Sequence, residues 1–249
     1  MSFINKLRAV NYLGTAAAPA VRPAYGRDVR VPPVPLHAPN GRTVRGGEEN
    51  SGRFSNGLKE FLWQIGDINR GSLLDLGAVS QATVTYFIER NFKVYTEDLL
   101  AGWGAFLEHE SQRAAALVGT EQADPSPIAR AERFLASNLR YPADSFDAVL
   151  LWDLLDYLDK EAARQFLARI TSLVREGGAI LAIFHTRPPE QFQRYRVVDA
   201  LNLQVVPAPT LVQPRHVYNN REIQEFFETF RTSKTFVARD QLREGVFVK

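Results

Sequence analysis

Short apolar runs alternate with amphipathic segments through the middle of the chain, and this alternation constrains the fold more than any other feature. The apolar runs lie at residues 72–76, 92–96, 147–152 and 179–184, and each has five or six residues, the length of a buried strand. Between them lie helical patterns: Ser80 opens one, and residues 160–175 form another with apolar residues on one face, which residues 176–178 stop. The segment 118–128 predicts a loop. Strands that alternate with helices predict a mostly parallel sheet covered on both faces.

The C-terminal part of the chain predicts a different edge to that sheet. Asn220 can cap a helix whose apolar residues recur at helical spacing. Two short runs of strand type follow at 235–238 and 245–248, close enough to pair as a hairpin. We therefore expect an antiparallel C-terminal hairpin beside the parallel strands.

The N-terminal segment 1–56 differs in composition from the rest of the chain. It carries eight Lys and Arg residues against three acids, and six of the fourteen prolines. Because proline removes a backbone donor and restricts its predecessor, residues 14–56 predict an extended or disordered arm. Ser2 can cap a short helix ahead of it. That helix would dock on a protein partner or an anionic membrane surface, or pack on the chain's own core.

Composition excludes several classes of protein. The 249 residues include no cysteine, which removes disulfide scaffolds, thiolate zinc sites and cysteine nucleophiles. The formal net charge is only +2, so nucleic acid is not an expected partner. No uncharged apolar stretch approaches the roughly 20 residues that span a bilayer. We expect a cytoplasmic protein without a transmembrane segment, and the spacing of its histidines predicts no metal site.

In sheets of this kind, ligands bind at the carboxyl ends of the strands, and those ends carry the candidate polar residues. His185 ends the fifth predicted strand and is the histidine best placed for general-base catalysis. Asp153, Asp156 and Tyr157 follow the fourth strand, either on the acceptor side of a site or as a solvated turn. The proline-rich stretch 188–218 predicts either a cationic lid or a solvated loop.

These positions also carry a family resemblance. The run 74–98 resembles the first motif of class I S-adenosylmethionine-dependent methyltransferases, including the spacing from its Asp-Leu-Gly turn to the acid after the second strand. Residues 134–150 are similar to that family's adenine-loop and fourth-strand region, and 174–181 to its fifth strand. The resemblance covers about 54–249. It implies a three-layer α/β/α sandwich with a mostly parallel seven-stranded sheet and an antiparallel C-terminal hairpin strand.

The resemblance implies S-adenosylmethionine as a cofactor. The residues it implies for cofactor binding are Asp75, Gly77, Ala78, Val79, Glu97, Asp98, Asn138, Leu139 and Trp152. Asp98, with Glu97 beside it, matches the acid on the ribose hydroxyls, and Asn138 stands where an acid usually lies near the adenine amino group. The first motif is degenerate, because Val79 and Gln81 replace glycines whose freedom at positive φ lets the backbone approach the cofactor.

Three functions follow as hypotheses. The first is a methyltransferase that acts on an unidentified small molecule or protein side chain. The second is a methyltransferase-fold protein without turnover that serves as a binding or assembly module through its basic segment 1–56. The third, a nicotinamide-dependent enzyme, is disfavoured because 77–82 lacks the second glycine of that fingerprint.

Overall fold

The computed structural model describes residues 52–116, 124–238 and 240–249. The predicted N-terminal helix, the predicted arm as far as residue 51, and most of the predicted loop at 118–128 lie outside the described residues.

The described elements alternate strand and helix through the first two thirds of their length. In chain order they are β1 (Gly52–Phe54), α1 (Asn56–Gln64), β2 (Gly71–Asp75), α2 (Gln81–Ile88), β3 (Phe92–Thr96), α3 (Leu99–Ala116), α4 (Pro127–Asn138), β4 (Phe146–Trp152), a 3-10 turn (Leu154–Tyr157), α5 (Lys160–Leu173), β5 (Val174–His185), β6 (Gln193–Val197), β7 (Asn202–Pro207), α6 (Asn220–Phe226), β8 (Thr232–Val237) and β9 (Leu242–Val248).

The main sheet has the strand order β3-β2-β4-β5-β9-β8. Strands β3, β2, β4 and β5 are parallel neighbours, and β9 runs antiparallel to both β5 and β8. The mixed α/β architecture and the C-terminal hairpin are thus confirmed. The described residues place six strands in this sheet instead of the seven expected, because the described chain between β3 and β4 forms the helices α3 and α4.

Strand β5 begins earlier than predicted. The predicted helix stop at 176–178 lies inside the strand, since α5 already ends at Leu173. Gly177 has a φ of +76°, and a Cβ on Gly178 would lie 2.8 Å from Val174 Cγ1 and 3.0 Å from the Asp147 carbonyl oxygen. The two glycines therefore permit a bend at the start of β5 where it meets β4, and they do not stop a helix.

A second, three-stranded sheet has the order β1-β7-β6, and all its pairs are antiparallel. Its hairpin lies within the stretch 188–218 predicted as a lid or loop. Strand β1 lies within the predicted arm, so residues 52–54 pair with the folded part of the chain. The Arg53 guanidinium also pairs with Asp240 and with the buried carboxylate of Glu244.

Two apolar clusters lie on opposite faces of the main sheet because alternate strand residues point to opposite sides. On β4, Val149 and Leu151 belong to the cluster under α3, α4, α5 and α6, whereas Ala148 and Leu150 belong to the cluster under α1 and α2. Helices therefore cover both faces, and the carboxyl ends of the parallel strands remain available for a site. None of the helices in the described residues is long and apolar enough to span a membrane.

Candidate functional site

The carboxyl ends of β2, β3 and β4 meet at a small cavity of about 40 Å³. Side chains and backbone from five segments line it, among them Gly77, Asp98, Trp152, Asp153, Arg194 and Tyr195. The first four of these follow the main-sheet strands, and the last two come from β6. Of the residues implied for cofactor binding, Ala78 also lines this cavity.

Asp75, Gly77 and Trp152 form one packed unit at the floor of the cavity. The Trp152 indole Nε1 donates a hydrogen bond to Asp75 Oδ1 over 2.6 Å, and the Gly77 backbone N–H donates to the same oxygen over 3.1 Å. A Cβ on Gly77 would lie 2.6 Å from Trp152 Cδ1, so the close approach of the indole requires glycine there. Burial raises the pKa of Asp75 to about 6, although both hydrogen bonds lower it.

Trp152 adopts an unusual backbone conformation at the end of β4. Its φ is +54°, in the left-handed region that a bulky side chain adopts at an energetic cost, and the β4–β5 register shifts just before it. Its ring stacks on the Tyr195 ring at 5.9 Å between centroids. Strand β6 is thereby packed against the turn after β4.

Asp98 immediately precedes α3 and lines the cavity. Its Oδ1 accepts a hydrogen bond from the Ala101 N–H over 3.1 Å, which caps the helix. Its Oδ2 lies 3.8 Å from the Arg194 guanidinium. Both side chains are partly exposed, so this ion pair is weak and separable. The carboxylate that the family resemblance implies for ribose binding is thus capping a helix and paired across the cavity.

Three of the implied cofactor residues point elsewhere. Glu97 accepts a hydrogen bond from the Tyr141 hydroxyl over 2.5 Å. The exposed Asn138 side chain donates to the Phe134 carbonyl at the end of α4, over 2.8 Å, and Leu139 is buried in the core. None of the three lines the cavity, so an adenine contact from Asn138 would require a change at the end of α4.

The residues that replace glycines do not fill the cavity. Val79 has 69% of its surface exposed, is absent from the cavity lining, and does not have a positive φ. The exposed Gln81 side chain donates to Thr85 Oγ1 within α2. Val79 therefore takes no space from this small cavity, and its backbone does not use the positive φ that glycine would permit.

His185 lies at the end of β5, as predicted, and is held by Asp156. Asp156 Oδ2 accepts from the His185 backbone N–H over 2.7 Å and lies 2.8 Å from Nδ1. Burial alone lowers the pKa of His185, but the hydrogen bond and charge of Asp156 and the charge of Asp153 raise it above its usual value. Asp156 therefore fixes the ring with Nδ1 as donor and leaves Nε2 free for other partners.

The carboxylates after β4 are buried, which contradicts the interpretation of this segment as a solvated turn. Asp153 Oδ2 lies 3.9 Å from His185 Nε2, and neither atom has a hydrogen-bond partner among the described residues. Burial raises the pKa of Asp153 to about 7 although His185 lowers it, and burial likewise raises the pKa of Asp156. The result is an acid–histidine–acid arrangement beside the cavity.

A second cleft, of about 440 Å³, lies on the other side of this arrangement. His185, Arg53, Arg187 and Gln241 contribute to its lining, and Gln193 lines both the cleft and the small cavity. Gln193 and Arg194 were not singled out as cofactor residues from the sequence, because their role depends on the hairpin that brings β6 to the carboxyl ends of the main sheet.

No protein-family model matches the sequence, and no curated protein matches it. Among solved structures, the chain is similar to the 1,6-didemethyltoxoflavin-N1-methyltransferase of Burkholderia thailandensis with bound 1,6-didemethyltoxoflavin and S-adenosylhomocysteine. That similarity has 18% identity over 78% of this chain and 76% of that chain, with a TM-score of 0.42. A SAM-dependent methyltransferase from Aquifex aeolicus is similar with 12% identity over 76% of this chain and 88% of that chain, with a TM-score of 0.38. At these values the similarities carry no information on substrate or chemistry.

Proposed function

We propose that the chain is an S-adenosylmethionine-dependent methyltransferase that acts on a small molecule or a protein side chain. The observation that carries the proposal is the meeting of three groups at one small cavity. They are the Asp75–Gly77 turn after β2, the Asp98 carboxylate after β3, and the Asp153–His185 pair beside the end of β4. Ligands of parallel α/β sheets bind at this edge.

The polar groups around the cavity can bind S-adenosylmethionine, but the cavity is too small to hold it as it stands. Asp98 Oδ2 can accept hydrogen bonds from ribose hydroxyls, and the exposed Val79 leaves the cavity clear. The cavity of about 40 Å³ has room for water only. Binding therefore requires Arg194 to leave Asp98 and the β6 side chains to withdraw. When bound, the cofactor supplies a methyl group activated by the sulfonium.

His185 is the proposed general base. Asp156 holds Nδ1 as a donor, so neutral His185 presents the lone pair of Nε2, which has no partner among the described residues. Nε2 can then take a proton from an acceptor group placed beside Asp153. Because the pKa of His185 is raised, the basic form gains population as the pH increases above the usual histidine range. The remaining contribution to catalysis is the positioning of the methyl acceptor.

A binding module without turnover is the second candidate, and the size of the cavity favours it. Arg194 lies on the carboxylate that would bind ribose, and the Trp152–Tyr195 stack closes the same space. If the hairpin does not withdraw, the fold persists without a cofactor. Binding of cofactor therefore separates the two candidates.

Calorimetric titration with S-adenosylmethionine and S-adenosylhomocysteine tests the proposal on two variants. Asp98→Asn keeps a residue that caps helices well but removes the charge, so we expect affinity to fall by about 1–3 kcal/mol, or roughly 5- to 150-fold. Asp67→Asn, at an exposed position outside the cavity, should bind like the unaltered chain. Absence of binding by the unaltered chain would favour the module, and equal affinity of Asp98→Asn would refute ribose binding at Asp98.

A further inference from the structure

Four buried polar atoms lie together beside the cavity without hydrogen-bond partners among the described residues. They are Asp153 Oδ2, Tyr157 Oη, His185 Nε2 and Tyr195 Oη. Each belongs to a side chain that is at least nine-tenths buried. A buried polar atom without a partner costs about 1–3 kcal/mol, so four in one place indicate that a polar group belongs among them.

The four side chains are neighbours in space. Asp153 Oδ2 and His185 Nε2 are 3.9 Å apart, and the Tyr157 and His185 rings are 6.4 Å apart between centroids. The charges of Asp153 and Asp156 raise the pKa of both tyrosine hydroxyls, as does burial, which has the largest effect. Asp153 and Tyr195 also line the cavity at the ends of the strands. A ligand atom among these groups would therefore be next to the proposed cofactor space.

The walls of this space are aromatic. The Trp152 and Tyr195 rings stack, and the Tyr157 ring meets the Phe192 ring edge-on at 5.3 Å. Trp152, Tyr195 and Phe192 line the cavity itself. Aromatic faces attract cations, and they attract them more strongly where water is excluded.

Buried acidic side chains outnumber buried basic ones around this space. Asp153 and Asp156 are buried on either side of His185, Asp98 lines the cavity, and the buried Asp75 accepts hydrogen bonds from the lining residues Gly77 and Trp152. Among the described residues, His185 lies between Asp153 and Asp156, Arg194 is engaged with Asp98, and the charges of His216 and Arg53 also reach this group. A carboxylate or phosphate would be repelled here, a neutral alcohol would leave the acids uncompensated, and an ammonium group would neutralise one of them.

We propose that the methyl acceptor is an amine whose nitrogen binds between Asp153 and His185, with the hydroxyls of Tyr157 and Tyr195 as further partners. This inference rests on the proposed function. The ammonium form donates to Asp153 and gives one proton to His185 Nε2. The neutral nitrogen then forms an N–C bond with the methyl carbon as the S–C bond breaks, which leaves a methylated ammonium and S-adenosylhomocysteine. Asp153 is a binding residue for the nitrogen, and His185 is the catalytic base.

The test is a titration of the full chain with matched probe pairs, followed by NMR of the His185 imidazole. The probes are propylamine against 1-propanol and benzylamine against benzyl alcohol, each with and without S-adenosylhomocysteine. We expect saturable shifts of the His185 signals with both amines and none with either alcohol. Equal responses to amine and alcohol, or no saturable response to the amines, would overturn the inference.

Two variants localise the response. Asp153→Asn should weaken amine binding at least about tenfold, because it removes the charge that the ammonium meets. Tyr195→Phe, which deletes only a hydroxyl, should weaken amine binding by a smaller factor. It provides the test if Asp153→Asn does not fold. The exposed Asp67→Asn is the matched control and should bind amines as the unaltered chain does. Unchanged amine affinity in both Asp153→Asn and Tyr195→Phe would overturn the placement of the amine beside Asp153.

Calorimetry with S-adenosylhomocysteine on the same samples separates this inference from the proposed function. Binding of S-adenosylhomocysteine without any amine response overturns the inference and leaves the function standing. An amine response that depends on Asp153, without binding of S-adenosylhomocysteine, supports an amine site and overturns the methyltransferase proposal.

Discussion

The indole N–H of Trp152 donates to the carboxylate of Asp75 over 2.6 Å, from a tryptophan whose φ is +54°. This bond joins the end of β4 to the end of β2 and brings the indole against Gly77, where a Cβ would not fit. The acid and glycine of the first motif therefore have a structural role in this chain whether or not a cofactor binds. Whether a cofactor binds therefore depends on Asp98 and on the β6–β7 hairpin, whose Arg194 pairs with that carboxylate.

Replacement of Trp152 by Phe should destabilise the fold. The variant removes a donor from a buried carboxylate and leaves the Gly77 N–H as its remaining hydrogen bond, at an expected cost of about 1–3 kcal/mol in the free energy of unfolding. Chemical denaturation measures this loss. Trp63→Phe, at a side chain with 71% of its surface exposed, should change stability by less than about 0.5 kcal/mol. Equal effects of the two substitutions would contradict the structural role of the Trp152–Asp75 bond.

The stability of the chain should carry a pH dependence that comes from Asp153. Its pKa is about 7 in the folded state and near the usual aspartate value of 3.8 when unfolded, so between these values the folded state holds a proton that the unfolded state releases. The unaltered chain should therefore lose stability relative to Asp153→Asn as the pH rises from about 4 to about 7, by about 1–4 kcal/mol. Denaturant unfolding across that range measures the difference. The free energy of unfolding of Asp67→Asn should depend on pH as that of the unaltered chain does. A difference that does not vary with pH would show that Asp153 is charged throughout.

Loss of Asp156 should lower the pKa of His185. The carboxylate supplies a hydrogen bond to Nδ1 and a negative charge, both of which raise that pKa, so Asp156→Asn should lower it. NMR titration of the imidazole signals measures this change, and the exposed His109 provides an internal reference. A His185 pKa that does not move in the variant would mean that Asp156 does not tune the proposed base.

Removal of the Arg194 side chain should strengthen binding of S-adenosylhomocysteine. Arg194 lies 3.8 Å from Asp98 Oδ2, and the pair must separate before ribose hydroxyls can reach that oxygen. A partly exposed pair contributes about 0.2–1 kcal/mol, so Arg194→Ala should bind up to about fivefold more tightly. Arg196→Ala, two residues along the same strand and outside the cavity lining, should leave affinity unchanged. Weaker binding by Arg194→Ala would show that Arg194 holds the ligand and does not obstruct it.

Much of the main sheet could be predicted from the sequence because buried parallel strands are short, continuous apolar runs. The strand at Phe92–Thr96 and the Ser80 cap of α2 agree with the prediction residue for residue. The start of β5 could not be predicted, since two glycines inside a strand have the same appearance as a helix stop. The β6–β7 hairpin was missed because the prolines around it are typical of a loop, and its pairing partner β1 lies far away in the sequence.

The candidate site was predictable only as far as it depends on strand ends. The positions of Asp75, Asp98 and His185 follow from the order of strands, and the structure brings them to one edge. The direction of each side chain does not follow from that order. Glu97 and Asn138 turn to local partners, and the left-handed φ of Trp152 results from tertiary packing that no local pattern specifies. Burial of Asp153 and Asp156 likewise depends on β5 and β6 packing beside them.

A crystal structure of the full chain grown with S-adenosylhomocysteine is the most direct test of ribose binding at Asp98. We expect ligand density at the carboxyl ends of β2 and β3, ribose hydroxyls within hydrogen-bond distance of Asp98, and the Arg194 guanidinium displaced from that carboxylate. Density at any other site, or a cavity without ligand in which Arg194 still pairs with Asp98, would contradict it.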